Sequence, residues 1–239
     1  MTERVLWITG GGSGMGAASA RSAAANGWSV ILSGRRVEQL ERVAADIVAA
    51  GGRADVLPLD VQDSAAIVTA RDTLLARHGR IDALVHAAGC NAPNRRWDDQ
   101  TIDAFRAIVD TNLTAVAAVI DAALPSLRES SGVAVVISSY AGWTFQPGAG
   151  VAYSASKTAL GSLVRTLNQQ EAPQGVRATH LCPGDVATDF LEQRPQVPGE
   201  SARAAMLSPE DIARTVDFVI DAPQHVRVDE MVLSPLSQR

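Results

Sequence analysis

Short β-rich runs alternate with longer helix-periodic stretches along nearly the whole chain, and this alternation limits the folds open to it. The strands read as 4–9, 29–33, 54–59, 83–86, 133–137, 176–181 and 231–234. Between them, helical patterns cover 17–26, 37–50, 64–78, 101–124, 153–170 and 209–221. Strand–helix–strand repetition means βαβ units and a parallel sheet covered on both faces. Right-handed crossovers then predict an α/β, Rossmann-type doubly wound sheet of about seven strands, with its ligand site beyond the carboxyl ends of the strands. No repeat, low-complexity segment or linker divides residues 1–239, so a single domain is expected. The one long stretch of loop composition is 189–207, with Pro195, Pro198 and Gly199, and loops of that size often cover active sites.

Charge and cysteine usage remove several classes of function. A net charge of −5 without a basic stripe argues against nucleic acid as a partner. Cys90 and Cys182 form no CxxC pair, so neither a disulfide framework nor a metal site is expected. No apolar run reaches the roughly 18 residues of a membrane span, and MTERVLWITG has no signal-peptide layout. A cytoplasmic location without membrane attachment is the resulting expectation.

Two stretches carry chemistry. Thr9-Gly10-Gly11-Gly12-Ser13-Gly14-Met15-Gly16 follows a strand and opens a helix. Glycines there let the backbone turn tightly against a pyrophosphate, and the helix N-terminus offers free N–H donors. The second strand ends Ser33-Gly34-Arg35-Arg36, with no acid before Glu38. An acid at that point suits the ribose hydroxyl of NAD, and an arginine the 2′-phosphate of NADP. Arg35, supported by Arg36, therefore favours NADP(H) over NAD(H). The second stretch, 139–157, ends in Tyr153-Ser154-Ala155-Ser156-Lys157. Residues four apart share a helix face, and a cation beside a phenol favours the phenolate. Such a tyrosine can exchange protons near neutral pH.

With these pieces in place, the chain resembles the short-chain dehydrogenase/reductase family over nearly its full length. Gly10, Gly14 and Gly16 fall on the family's TGxxxGxG turn, where Gly12, Ser13 and Met15 would also meet the cofactor. Asp60-Val61 matches its adenine-binding pair. His86-Ala87-Ala88-Gly89 stands where the family has NNAG, and Asn112, Ser139, Tyr153 and Lys157 fall on its catalytic tetrad. Pro183-Gly184-Asp185-Val186-Ala187-Thr188 matches the segment that touches the nicotinamide. The resemblance implies an NAD(P)-dependent oxidoreductase interconverting a small-molecule ketone and a secondary alcohol, and a homodimer or homotetramer. Tyr153 would be the proton donor or acceptor, Ser139 would hold the carbonyl oxygen, and Lys157 would hold the nicotinamide ribose and lower the Tyr153 pKa. Asn112 would hold a water relay to the lysine. Ser139, not Ser138, keeps the family's Ser-x-x-Gly offset through Gly142. The C-terminus, DEMVLSPLSQR, lacks the glycine pair with which many members close.

Asn91, Trp143 and Phe145, with Cys90 and Trp97, are the expected substrate contacts, and Arg194 or Arg203 could clamp an anion. A non-catalytic cofactor-binding regulator on the same fold is the alternative. A methyltransferase would leave Ser139, Tyr153 and Lys157 without a purpose.

Overall fold

The computed structural model describes residues 3–238. Seven strands form one sheet: β1 (Val5–Thr9), β2 (Ser29–Ser33), β3 (Arg53–Val56), β4 (Ala83–His86), β5 (Val133–Ile137), β6 (Arg177–Pro183) and β7 (Glu230–Leu233). Their order is β3-β2-β1-β4-β5-β6-β7, and every neighbouring pair is parallel. The order reverses between β1 and β4, which is where a doubly wound sheet opens its crevice. The central strands are buried at every position because helices cover both faces, hence their near-continuous Val, Ile, Leu and Ala content.

One face carries α1 (Gly14–Ala25), α2 (Val37–Ala49) and, late in the chain, α9 (Pro209–Ile220). Leu6, Ile8, Val30, Leu40, Ile212 and Val216 meet in that layer. The opposite face carries α3 (Ser64–His78), α5 (Ala115–Ser130) and α7 (Val151–Glu171), where Trp7, Leu74, Val119, Leu127 and Leu160 pack together. Local signals set the helix ends. The Asp63 carboxylate accepts from the Ala65 and Ala66 N–H groups at 3.0 Å to open α3, and Gly79 closes it at φ 76°. Ser208 and Asp211 open α9 with a reciprocal capping box.

Two expected elements differ. The helical pattern over 101–124 is three pieces: α4 (Ile102–Val109), a wide π turn (Asp110–Thr114), and α5, which runs on to Ser130. The combined stretch is long and apolar enough to cross a bilayer, but Val116, Val119, Ile120, Ala123 and Leu127 are core residues against the sheet. The 189–207 segment is a folded cover, not a loop. It begins with a 3-10 turn (Asp189–Gln193), contains the short α8 (Glu200–Ala204), and is closed by a bridge between Val186 and Leu207. Another short helix, α6 (Tyr140–Trp143), follows β5.

The sheet also joins groups that no linear spacing reveals. His180 and Cys182 project from the same side of β6, and Glu230 comes beside them from β7, so that their polar atoms lie within 4.8 Å of one another. Burial pushes the Cys182 thiol up to about 12, and the Glu230 carboxylate sits 2.9 Å from His180 Nδ1. His180 and Glu230 therefore form a hydrogen-bonded pair with the ring buried and the carboxylate open to water, and the protonated Cys182 thiol lies beside it.

Candidate active site

Two adjoining cavities open along the carboxyl ends of the strands, of about 370 and about 780 Å³, and share Met15, Ala87, Gly89, Thr188 and Phe190 in their walls. The smaller is built by the glycine turn. Gly10, at φ 69°, brings the turn so close to β4 that an added Cβ would lie 2.7 Å from the Ala88 nitrogen. At Gly16 an added Cβ would lie 2.3 Å from the Gly10 carbonyl oxygen. Ser13, at the N-cap of α1, gives its side chain no capping bond to the helix. The first N–H groups of α1 are thus left for a ligand, and no acid stands in that first turn to repel an anion. Gly12, Ser13, Gly14, Arg35, Arg36, Asp60 and Val61 complete this cavity. These features fit the adenosine and pyrophosphate of a dinucleotide.

At the far edge, Ser33 is fully buried off the cavity wall, its Oγ accepting the Trp7 indole N–H at 2.9 Å, so it does not meet a ribose hydroxyl. Arg36 donates to Ser13 Oγ at 2.6 Å, while Arg35 is exposed at the rim. His86 stands apart from the expected cofactor wall. It is 1% exposed and lines neither cavity, because strand alternation turns position 86, with Leu84, towards the face that α3, α5 and α7 cover. Burial first, and the Lys157 ammonium second, push its pKa down to about 3, so the ring is neutral. Ala88's backbone lies near enough to favour the ring slightly without reaching bonding geometry, and neither ring nitrogen has a hydrogen-bond partner.

The larger cavity gathers Ser139, Tyr153 and Lys157 with Pro183, Gly184, Val186 and Thr188. Ser139 caps α6 by accepting from the Ala141 N–H at 3.2 Å and faces the Tyr153 phenol. Ser138 is buried beside it, with its hydroxyl donating to the Lys157 carbonyl at 3.3 Å. Burial raises the Tyr153 pKa above the ordinary phenol value, and the Ser139 hydroxyl, Arg194 and Arg95 draw it only part of the way back. The expectation that Lys157 lowers it is not met. The Lys157 ammonium lies 5.8 Å from the phenol ring centre, and donates to the Ile137 carbonyl at 3.2 Å. Its own pKa falls to about 8 because it is 4% exposed.

Asn112 sits in the π turn, fully buried. Its amide accepts from the Cys90 N–H and donates to the Cys90 carbonyl, both at 2.8 Å, and donates to Ser156 Oγ at 3.3 Å. Only Gly89 separates its oxygen from the lysine: an added Cβ there would stand 3.3 Å from Asn112 Oδ1 and 3.6 Å from Lys157 Nζ. A π turn at this point swings one amide inward, a use to which such turns are often put.

The expected substrate contacts are only partly met. Asn91 lines the larger cavity, with its amide donating to the Ala149 carbonyl at 3.0 Å. Trp143 and Phe145 do not. Trp143 is half exposed with its edge against Tyr140, and Phe145 is 79% exposed, because the chain turns outward after α6 and returns only at Gln146. Trp97 is 87% exposed. Arg203 is spent within the cover, on Glu192 and the Pro198 carbonyl. In their place stand Phe190, whose ring centre is 6.1 Å from that of Tyr153, and three polar residues, Arg95, Arg194 and Gln238. The C-terminal segment, which lacks the glycine pair, returns to the site instead: Gln238 Oε1 accepts from the Asp185 N–H at 2.8 Å. Nothing in the local sequence marks Phe190 or Gln238, since each reaches the cavity only through the folding of its segment.

The profile of the short chain dehydrogenase family matches residues 4–198. An uncharacterised oxidoreductase of Listeria monocytogenes is 32% identical over 247 residues, which covers 99% of this chain and 98% of that protein. Sulfoacetaldehyde reductase 2 of Chromohalobacter salexigens is 32% identical over 247 residues, covering 100% and 96%. An alcohol dehydrogenase from the archaeon Thermococcus sibiricus, complexed with 5-hydroxy-NADP, superposes with a TM-score of 0.90 at 30% identity, covering 99% of this chain and 98% of that one. A metagenomic short-chain oxidoreductase in complex with NADP gives 0.83 at 30% identity, with 98% of both chains covered. Sheet order, glycine turn and matched residues agree: this chain belongs to the short-chain dehydrogenase family of NAD(P)-dependent oxidoreductases.

Proposed function

We propose that the chain interconverts a small-molecule carbonyl compound and its alcohol, preferring NADP(H), with Tyr153 as the proton donor and acceptor. The observation that carries this reading is the Ser139–Tyr153 pair, facing a cavity that adjoins the glycine turn. When bound, the nicotinamide supplies or accepts the hydride. Tyr153 gives its phenolic proton to the carbonyl oxygen during reduction and takes it back during oxidation. Ser139 hydrogen-bonds the same oxygen and stabilises the negative charge that develops there. Lys157 would hold the nicotinamide ribose, and Asn112 keeps the Gly89–Cys90 backbone in place beside it. Burial holds the Tyr153 phenol in its protonated form, ready to donate, and the Ser139 hydroxyl with the charges of Arg194 and Arg95 reduces that rise without cancelling it.

Two similarities support the reaction class: one relative is a sulfoacetaldehyde reductase, and one solved neighbour is an alcohol dehydrogenase with an NADP derivative. NADP(H) is favoured because the β2 end offers Arg35 and Arg36 and no carboxylate. The test is NADPH oxidation against a panel of aldehydes and ketones, with Tyr153→Phe beside the wild type. Turnover reduced about 100-fold or more by the substitution is expected. Cofactor binding without any Tyr153-dependent turnover would instead identify a cofactor-binding regulator.

A further inference from the structure

Positive charge around the Tyr153 hydroxyl exceeds the negative charge that could answer it. Arg95 is 7% exposed and reaches the cavity from the segment after β4. Its guanidinium donates to the carbonyls of Ala92 at 2.7 Å, Gly148 at 3.4 Å and Gln193. Carbonyl dipoles satisfy its donors but leave its unit charge in place. Arg194, just past the 3-10 turn of the cover, is close enough to oppose the charge of Arg95, and both act on Tyr153. Among the described residues one carboxylate, Asp185, bonds this pair, through Arg194, and Asp99 acts on Arg95 only from a distance. The other acids on the cavity wall, Asp98 and Asp99, are exposed at the rim, and Asp99 Oδ1 already accepts from the Arg96 N–H at 2.7 Å.

Buried charges in proteins are normally paired, and among the described residues no carboxylate bonds the buried Arg95. The Arg194–Asp185 contact is also open, with side chains 34% and 38% exposed. An ion pair that open to water is weak, so an incoming anion can displace Asp185. We infer that the substrate is a small carbonyl compound with an anionic head, a carboxylate or sulfonate, which Arg194 grips while Ser139 and Tyr153 hold its carbonyl oxygen. This rests on the carbonyl chemistry proposed above. The guanidinium fork offers two parallel N–H donors to either head group, and Arg95 adds fixed positive charge behind it. Arg194 and Tyr153 line the same cavity, so one short molecule can meet both.

The test compares kcat/KM for NADPH-dependent reduction of 4-oxobutanoate, its uncharged amide 4-oxobutanamide, and 3-oxopropane-1-sulfonate. The expected result is a preference of about tenfold or more for a charged substrate over the amide. Arg194→Gln should bring that ratio towards one, chiefly by raising KM for the charged compounds. Arg194→Lys should keep part of it, because the charge remains and the fork is lost. Comparing carboxylate with sulfonate identifies the preferred head. Reduction of the amide as efficiently as both anions, or a preference that survives Arg194→Gln, overturns the inference and leaves the carbonyl chemistry standing. Turnover of none of the three, with no other carbonyl reduced, overturns that chemistry and the inference together.

Discussion

Lys157 is an ammonium held where water does not reach: 4% exposed, with its pKa depressed to about 8 and one bond to the Ile137 carbonyl. Burial of that charge opposes folding, so the residue is kept for its chemistry and at a cost in stability. Lys157→Met should raise the stability of the ligand-free protein by about 1 to 3 kcal/mol at pH 7 while abolishing turnover. The pH dependence follows from the sign of the shift. Between about 8 and the ordinary lysine value of 10.5 the unfolded chain binds more protons than the native one, so this residue's contribution to stability improves as pH rises through that window. The wild type's deficit relative to Lys157→Met should therefore be full below pH 8 and shrink above it. Paired melting curves at pH 7 and pH 9.5 measure this, and a variant less stable than wild type at pH 7 would contradict it. The Tyr–Lys spacing places both residues on one helix face, as the sequence implies, but spacing cannot say where an ammonium points. Here it points at Ile137, and the cations acting on the phenol are two arginines from distant segments.

Among the elements, the turn from β2 to α2 bears most on cofactor choice. Arg36 is bonded to Ser13, Ser33 is bonded to Trp7, and Arg35 is the exposed cation at the cavity rim. Arg35→Ala should weaken NADPH about tenfold or more and NADH much less, read as the ratio of the two dissociation constants. Equal losses for both cofactors would remove the phosphate assignment. The strand ends and this turn are legible in the sequence because buried parallel strands are runs of apolar residues that stop at small or polar ones, Ser33-Gly34 after β2 and Ser138-Ser139 after β5. The π turn at 110–114 is not legible, since Asp-Thr-Asn-Leu-Thr holds no glycine or proline that would mark a break between the helices on either side. The cover at 189–207 reads as a loop from its prolines and glycine, yet folds because Val186 pairs with Leu207 and Arg203 bonds Glu192 across it.

At the scale of the molecule, the sheet puts the glycine turn after β1, Ser139 after β5 and the Pro183–Thr188 segment after β6 along one crevice, and α7 brings Tyr153 and Lys157 over it. Arg95 then ties together three segments around the opening, those at Ala92, Gly148 and Gln193. Motifs with fixed offsets announce the first group of residues. The second group, with Phe190 and Gln238, depends on which loops meet in three dimensions, and aromatic residues chosen by composition, Trp143 and Phe145, face water instead. The central claim is that this crevice aligns a carbonyl carbon for hydride transfer while Tyr153 protonates its oxygen. The most direct measurement is reduction of a turned-over carbonyl with NADPH deuterated in turn at each of the two C4 positions. One label should appear, singly, on the carbinol carbon of the alcohol and the other not at all, with formation of the labelled alcohol lost in Tyr153→Phe. Hydrogen drawn from solvent at that carbon, or labelled product formed as fast without the phenol, would contradict the account.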